Sequence, residues 1–301
     1  MIRVGVDFGG TKIEAAAFGP DGAFLARVRA PNPGDYGEAV AAVRDLVREA
    51  EREAGAANAT VGMGIPGSVS PVTGRIRNAN SVWMNDRPFK EDVEAALGRP
   101  IRLQNDANCF ALSEAVDGAA AGANVVFGAI LCTGCGGGVV VRGQALQGRN
   151  GIAGEWGHGP LPWPTPEEHQ AHKCWCGRTD CLETWVSGSA FCEDYERSTG
   201  LKADGRAIVE RVKAGDAAAQ ACLDRYVDRL GRALAAMCNL LDPDVIVLGG
   251  GMSNVEALYD RVPPVVARYA FTDRFTTPIV PAKYGDSSGV RGAAWLWPAD
   301  H

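Results

Sequence analysis

Three glycine-rich turns, each at the end of an apolar run, constrain this chain more than any other feature. They are Gly9-Gly10-Thr11, Thr133–Gly138 and Gly249–Gly251. The chain holds 38 glycines in 301 residues, nearly twice the roughly 7% of an average protein. Glycine reaches dihedrals closed to other residues, so the backbone N–H groups of such a turn can converge on an anion. In Asp7-Phe8-Gly9-Gly10-Thr11-Lys12 the turn joins two strand-like runs, with a hydroxyl donor at Thr11 and a cation at Lys12. Asp7, at a strand end, is a candidate for holding Mg2+ or its water shell, because Mg2+ takes oxygen ligands and keeps waters. Thr133-Gly134-Cys135-Gly136-Gly137-Gly138 repeats the device, and Gly249-Gly250-Gly251 supplies a third case. A plain hairpin would explain any one of these alone. Three of them at strand ends point to a nucleotide. The spacing matches neither Gly-x-x-x-x-Gly-Lys-Ser/Thr nor the strand–Gly-x-Gly-x-x-Gly–helix turn of dinucleotide sites.

Other broad classes are excluded by charge and patterning. Lys and Arg number 30 against 36 Asp and Glu, a net charge of −6. No basic stripe is visible, so a nucleic-acid partner is not expected. Apolar stretches such as Val125–Cys132 and Val245–Leu248 fall far short of the roughly 20 residues that span a bilayer. The N-terminus runs straight into a strand pattern, with no expected signal peptide. Nine cysteines is an odd number, which argues against a disulfide framework and for a reducing cytoplasm. Cys109, Cys132, Cys135, Cys192, Cys222 and Cys238 read as small buried apolar residues.

Periodicity supplies the organisation. Strands are expected at Ile2–Asp7, Lys12–Phe18 and Ala23–Arg29, then a helix at Tyr36–Ala54 and a strand at Thr60–Ile65. A helix at Phe89–Leu97, a strand at Ile101–Gln104 and a helix at Asp106–Val116 follow. A second round opens with strand Val125–Leu131, the glycine turn, and strand Val139–Val141. Asn150–Gly188 is irregular and rich in Gly, Pro, Trp, His and Cys. Helices are then expected at Ser189–Ser198, Gly205–Ala214 and Asp216–Leu241, a strand at Asp244–Leu248 and a helix at Val255–Ala270. Strands alternating with helices give an α/β class with mixed sheets.

Two constellations carry chemistry. Asn105-Asp106 closes an apolar strand and opens a helix. A carboxylate there can relieve an acceptor hydroxyl of its proton, or it can simply cap the helix. Cys174-x-Cys176-x4-Cys181 sets three thiols within eight residues of a polar segment, spacing that suits tetrahedral Zn2+. His158, His169 and His172 are the available fourth ligands, with His172 nearest in sequence. Trp83, Trp156 and Trp163 could stack on a ligand or serve as packing.

The two phosphate-loop candidates resemble those of the actin/hexokinase/Hsp70 ATPase superfamily. Gly64-Ile65-Pro66-Gly67, Asn105-Asp106-Ala107-Asn108, Gly154-Glu155-Trp156-Gly157-His158 and Cys174-x-Cys176-Gly177-x3-Cys181-x-Glu183 narrow the resemblance to the ROK sugar kinases. Ser113–Gly122, Leu161-Pro162-Trp163, Leu241–Val255 and Gly285–Pro298 are similar to the bacterial fructokinase/mannokinase type. The resemblance implies a two-lobed, ribonuclease H-like α/β fold with mixed sheets. One lobe would hold about 1–117 plus 288–301, and the other about 118–287 with the zinc segment near 150–188.

It implies an ATP-dependent hexose kinase with ATP and Mg2+ at Asp7, Gly9, Gly10, Thr11, Lys12, Thr133, Gly134, Cys135, Gly136, Gly249 and Gly250. Asp106 would be the general base. Sugar contacts would come from Gly67, Asn80, Asn105, Asp106, Glu155, His158 and Glu183. The resemblance takes His158 as the ligand that completes a structural zinc site with Cys174, Cys176 and Cys181, which would also position Glu155. The expected substrate is D-fructose, with D-mannose second, in a cytoplasmic homodimer. A glucose or N-acetylhexosamine kinase would use the same residues. A ROK-type repressor is disfavoured, because the first phosphate loop begins at Asp7 with no helix-turn-helix domain ahead of it. An Hsp70-like ATPase would leave the cysteine segment unexplained.

Overall fold

The computed structural model describes residues 1–298. Alternating small and branched apolar residues build the first sheet from β1 (Arg3–Phe8), β2 (Lys12–Phe18) and β3 (Phe24–Pro31). Helix α1 (Tyr36–Glu53) follows, capped by Asp35, whose side chain accepts the Glu38 N–H. Then come β4 (Thr60–Ile65), the small hairpin β5 (Ser68–Val69) and β6 (Ile76–Arg77), helix α2 (Phe89–Leu97), β7 (Ile101–Asn105) and α3 (Asp106–Val116). The sheet order is β3-β2-β1-β4-β7, antiparallel across the first three strands and parallel from β1 through β4 to β7.

The second sheet has the same plan. Its strands are β8 (Val125–Leu131), β9 (Cys135–Val141) and β10 (Gln144–Ala145), followed much later by β11 (Val245–Gly249) and β12 (Ile279–Pro281). The order is β10-β9-β8-β11-β12, with β8, β11 and β12 parallel. Strand β9 begins inside the glycine run expected to be a turn. The reason is packing: a Cβ at Gly138 would press on the Ala107 carbonyl oxygen, at 2.5 Å. Helices α4 (Glu183–Val186), α5 (Gly188–Thr199), α6 (Gly205–Lys213), α7 (Ala217–Leu241) and α8 (Ala257–Tyr269) accompany this sheet. None of the helices among the described residues is long and apolar enough to cross a membrane.

Packing divides the chain into two units. One is Met1–Gly122, Gly138–Gly154 and the chain from Lys283 onward. The other is Ala123–Gly137 with Glu155–Ala282. In the second, two buried arginines of α7 fasten the irregular stretch before the cysteines. Arg232 donates to the Trp163 carbonyl at 2.7 Å and to Glu168 at 2.9 Å, while Arg229 bridges Glu168 and Asp194.

In the first unit, helix α9 (Ser288–Trp295) lies on the sheet through absent side chains. Alternation along β1 sends Val4 and Val6 into the core with α1 and Gly5 toward the opposite face. Cβ atoms at Gly5, Gly62 and Gly292 would collide with the carbonyl oxygens of Val290, Ala293 and Cys109 respectively. The buried carboxylate of Glu114 on α3 then gathers the incoming chain, accepting the Lys283 N–H at 3.0 Å and the Ser288 hydroxyl at 2.7 Å.

Backbone meets backbone at these glycines, so neither partner can rotate away. Gly62→Ala should therefore cost upward of about 3 kcal/mol. Gly37→Ala, in α1 with ordinary contact to Asp35, should be neutral or stabilising by up to about 1 kcal/mol. Chemical denaturation of both variants checks this. Equal stabilities would contradict the packing described.

Candidate functional site

In the first unit, the turn after β1 is closed by the Gly9 N–H donating to the Lys12 carbonyl at 3.0 Å. Asn32 braces it, donating its side-chain amide to the Gly9 carbonyl at 2.7 Å. Gly9 and Gly10 do not take positive φ angles, contrary to the expectation from sequence. Glycine is needed at position 9 for space, since a Cβ would stand 2.9 Å from the Lys12 oxygen. Thr11 and Lys12 are exposed beside it.

Asp7 sits one residue before the end of β1, partly buried, with the first turn of α9 against its carboxylate at Gly289. Burial first, and then the Asp106 and Glu14 carboxylates, push its pKa up to about 6. A carboxylate short of counter-charge and next to a second one is what a hard divalent cation would relieve. The donor chemistry at Asp7 therefore fits Mg2+.

The cap of α3 is Asn105 rather than Asp106. The Asn105 side chain accepts the Ala107 and Asn108 N–H groups at 2.9 and 3.3 Å and donates to the Gly67 carbonyl at 3.0 Å. Gly67 holds φ at +74°, where a Cβ would also strike the Arg77 carbonyl, so only glycine fits. These contacts bring Gly67, Asn105 and Asp106 together. Asp106 is the first helical residue, exposed, with one oxygen accepting its neighbour's N–H at Ala107. Asn80 lies exposed in the turn that follows β6.

In the second unit, Thr133 and Gly134 form the turn between β8 and β9, with the Cys132 N–H donating to the Gly134 carbonyl. Cys135 and Gly136 open β9. Gly249 ends β11, and Gly250 alone of the motif glycines after it takes a left-handed φ, +78°, where a Cβ would stand 2.6 Å from the Leu131 carbonyl oxygen. A cavity of about 930 Å³ opens here, walled by Cys132 and Thr133, by Gly188 of α5, by Arg206 and Lys213 of α6, and by Gly251. Sequence reasoning missed Gly188, Arg206 and Lys213. The one available signal was Ser187-Gly188, a cap residue before a glycine, and the structure puts Gly188 N–H on the Cys132 carbonyl at 2.6 Å.

The irregular segment gathers its own cluster. A ring nitrogen of His158 and the thiols of Cys174, Cys176 and Cys181 all lie within 4.8 Å of one another. Cys174 is 3.7 Å from His158 Nδ1, and Cys176 is 3.6 Å from Cys181. A tetrahedral ion with Zn–S bonds of about 2.3 Å sets its sulfurs roughly 3.7 Å apart, so the donor set fits zinc. Burial and the neighbouring sulfurs push the Cys181 thiol upward, the effect a cation at this point would reverse.

His172 lies elsewhere, its ring 4.3 Å from that of Trp185, and burial lowers its pKa. Glu155 is exposed at the start of the turn that carries His158. That turn is seated by Trp156, which is buried and donates to the Gly136 carbonyl at 2.8 Å. Trp156 is thus packing, not a stacking surface. Glu183 begins α4 and accepts the Cys135 N–H at 3.0 Å.

With this arrangement described, known proteins give it a place. The sequence model of the ROK family matches residues 3–300. The chain is 39% identical to an N-acetyl-D-glucosamine kinase of Pasteurella multocida, covering 98% of this chain and 99% of that protein. It is 38% identical to an N-acetyl-D-glucosamine kinase of Vibrio cholerae, covering 97% of this chain and 98% of that one. The crystal structure of the ROK hexokinase from Thermus thermophilus superposes with a TM-score of 0.88 at 34% identity, covering 98% and 97% of the two chains. A ROK family glucokinase from Streptomyces griseus, solved with glucose and AMPPNP, gives 0.80 at 28% identity, covering 98% and 99%. The chain belongs to the ROK family, and its two mixed sheets are those of the actin-like ATPase fold.

The raised pKa of Asp7 has a consequence for stability. A carboxyl titrating at about 6 when folded and 3.8 ordinarily stabilises the fold below pH 4 and loses that contribution as pH climbs through 6. The shift corresponds to about 3 kcal/mol. In magnesium-free buffer, Asp7→Asn should therefore be the more stable protein at pH 7.5, with the advantage vanishing toward pH 4. Urea denaturation at both pH values measures it, and a variant no more stable than wild type at pH 7.5 would contradict the reading.

Proposed function

We propose that the protein is an ATP-dependent hexose kinase acting on N-acetyl-D-glucosamine. The carrying observation is that Asn105 takes the cap of α3. With that cap supplied by Asn105, the Asp106 carboxylate stands exposed at the first residue of α3, beside the second carboxylate at Asp7. In phosphoryl transfer the protein mainly positions the groups and neutralises charge. Asp106 accepts the proton of the attacking sugar hydroxyl as the O–P bond forms, and ADP leaves. Asp7 holds Mg2+ through its oxygens or waters, and that ion supplies charge neutralisation at the phosphates.

Thr11, Lys12, Thr133 and the amides of Gly134 and Gly136 bind phosphate oxygens, the Cys135 N–H being held by Glu183. The 930 Å³ cavity, walled on one side by Gly251, receives the nucleoside. Glu155 and Glu183 take sugar hydroxyls as acceptors and His158 donates to one through its Nε2–H, with Asn105 fixing the strand end. Zinc on His158, Cys174, Cys176 and Cys181 is structural, since four protein ligands leave no open position for water.

The substrate is the point at which the sequence reading shifts. D-fructose, with D-mannose second, was expected from resemblance to fructokinases. N-acetyl-D-glucosamine is favoured by relatives of that name at 36 to 39% identity over nearly the whole chain.

A coupled ADP-release assay across N-acetylglucosamine, glucose, mannose and fructose tests the proposal. The highest kcat/KM is expected with N-acetylglucosamine. A clear preference for fructose would overturn the substrate, and ADP release indifferent to every sugar would overturn the kinase. Asp106→Asn should keep its melting temperature and sugar affinity while kcat falls by about 10² to 10⁴. Retention of near-normal kcat would remove Asp106 as the base.

A further inference from the structure

Glu183 is committed on both carboxylate oxygens within the second unit. One accepts the Cys135 N–H at 3.0 Å. The other accepts the indole N–H of Trp175 at 2.6 Å. The Glu183 carboxylate rests on the turn itself, since a Cβ at Gly134 would stand 2.7 Å from its oxygen. The donor is unusual. Trp175 is 69% exposed, so burial does not hold its ring. It sits between Cys174 and Cys176, with its ring edge-on to His158 at 5.1 Å and 81°. Three of the four clustered ligands therefore border this one indole.

We propose that Trp175 is a positioning residue that ties the Cys/His cluster to the Thr133–Gly136 turn through Glu183, so that the nucleotide end of the reaction depends on the metal cluster. The inference rests on the kinase reading for its meaning. Its physical argument runs through hydrogen bonds. An exposed indole gains little from its own burial and is ordered by its two metal-held neighbours. Its N–H fixes the rotamer of Glu183, because a charge-assisted hydrogen bond is short and directional. The fixed carboxylate then holds the Cys135 N–H and the backbone beside it. A loop misplaced by even 1 Å loses much of its alignment with phosphate oxygens. Thr133, exposed, and Gly134 bring little side-chain packing of their own to that turn.

Trp175→Phe tests this in the zinc-loaded protein, because it keeps the ring edge against His158 and deletes only the donor. Zinc per chain, the affinity for a non-hydrolysable ATP analogue by calorimetry, and the KM for the sugar are measured together. The expected result is zinc content equal to wild type, nucleotide affinity measured without sugar weaker by roughly tenfold, and a sugar KM that rises alongside it, because Glu183 also faces the sugar. Chelation of wild type should weaken nucleotide binding by a similar factor, with little further loss in the variant. Nucleotide affinity within twofold of wild type would overturn the proposal, as would loss of zinc in the variant or a wild type that holds none. Direct binding keeps the two readings apart. A wild type that binds the analogue yet phosphorylates no sugar defeats the kinase assignment and leaves this coupling standing.

Discussion

The convergence of one imidazole and three thiols is the constraint on which the irregular segment of the second unit depends. From Glu155 to α4 the second unit carries a long stretch with only short 3-10 turns and two isolated bridges, Pro160 to Cys181 and Lys173 to Thr179. Backbone polar groups in such a stretch still need partners. They find them in polar devices instead of a ladder. Asp180 accepts the N–H groups of Gln170, Ala171 and His172, and Arg232 collects two carbonyls. The cluster closes this stretch between His158 and Cys181, fixing the turn that presents Glu155 at one end and Glu183 at the other.

The first unit solves the opposite problem. There the two carboxylates proposed to act in catalysis stand on regular elements, Asp7 on a central strand and Asp106 on the first turn of a helix. Precision comes from close backbone approach rather than from a metal. Gly5, Gly62 and Gly292 let α9 reach the strands and α3 without intervening side chains. The buried Glu114 anchors the segment that enters α9. Removing one member of such a buried polar set is costly, because the remaining groups stay desolvated. A conformationally fixed pair of acids is therefore built at the expense of local tolerance to substitution.

Much of this was legible in the sequence where the information is local. Lys12–Phe18, Phe89–Leu97, Asp106–Val116 and Val125–Leu131 were read with the boundaries the structure has, because apolar period and cap residues lie within each element. The repeated strand–glycine–strand pattern likewise exposed the two sheets. Long-range roles were not legible. Nothing near Gly62 in sequence says that α9 will lie on it. Spacing alone drew attention to His172, which packs on Trp185, whereas the bridge from Pro160 to Cys181 carries His158 to the thiols from 16 residues before Cys174. Asp242 ends α7 ahead of Pro243, since the residue before a proline is pushed out of the helical region. It does so in the left-handed region, at φ +44°. The cavity walls at Arg206 and Lys213 come from a helix whose exposed charges look like any solvated face.

The nature of the cluster decides between a metal-fixed segment and four side chains that merely meet. X-ray absorption at the zinc edge on the purified, metal-replete protein addresses it directly. The account predicts one zinc per chain with three sulfurs at about 2.3 Å and one nitrogen at about 2.0–2.1 Å. A protein without stoichiometric zinc, or an ion surrounded only by oxygen and nitrogen, would contradict it.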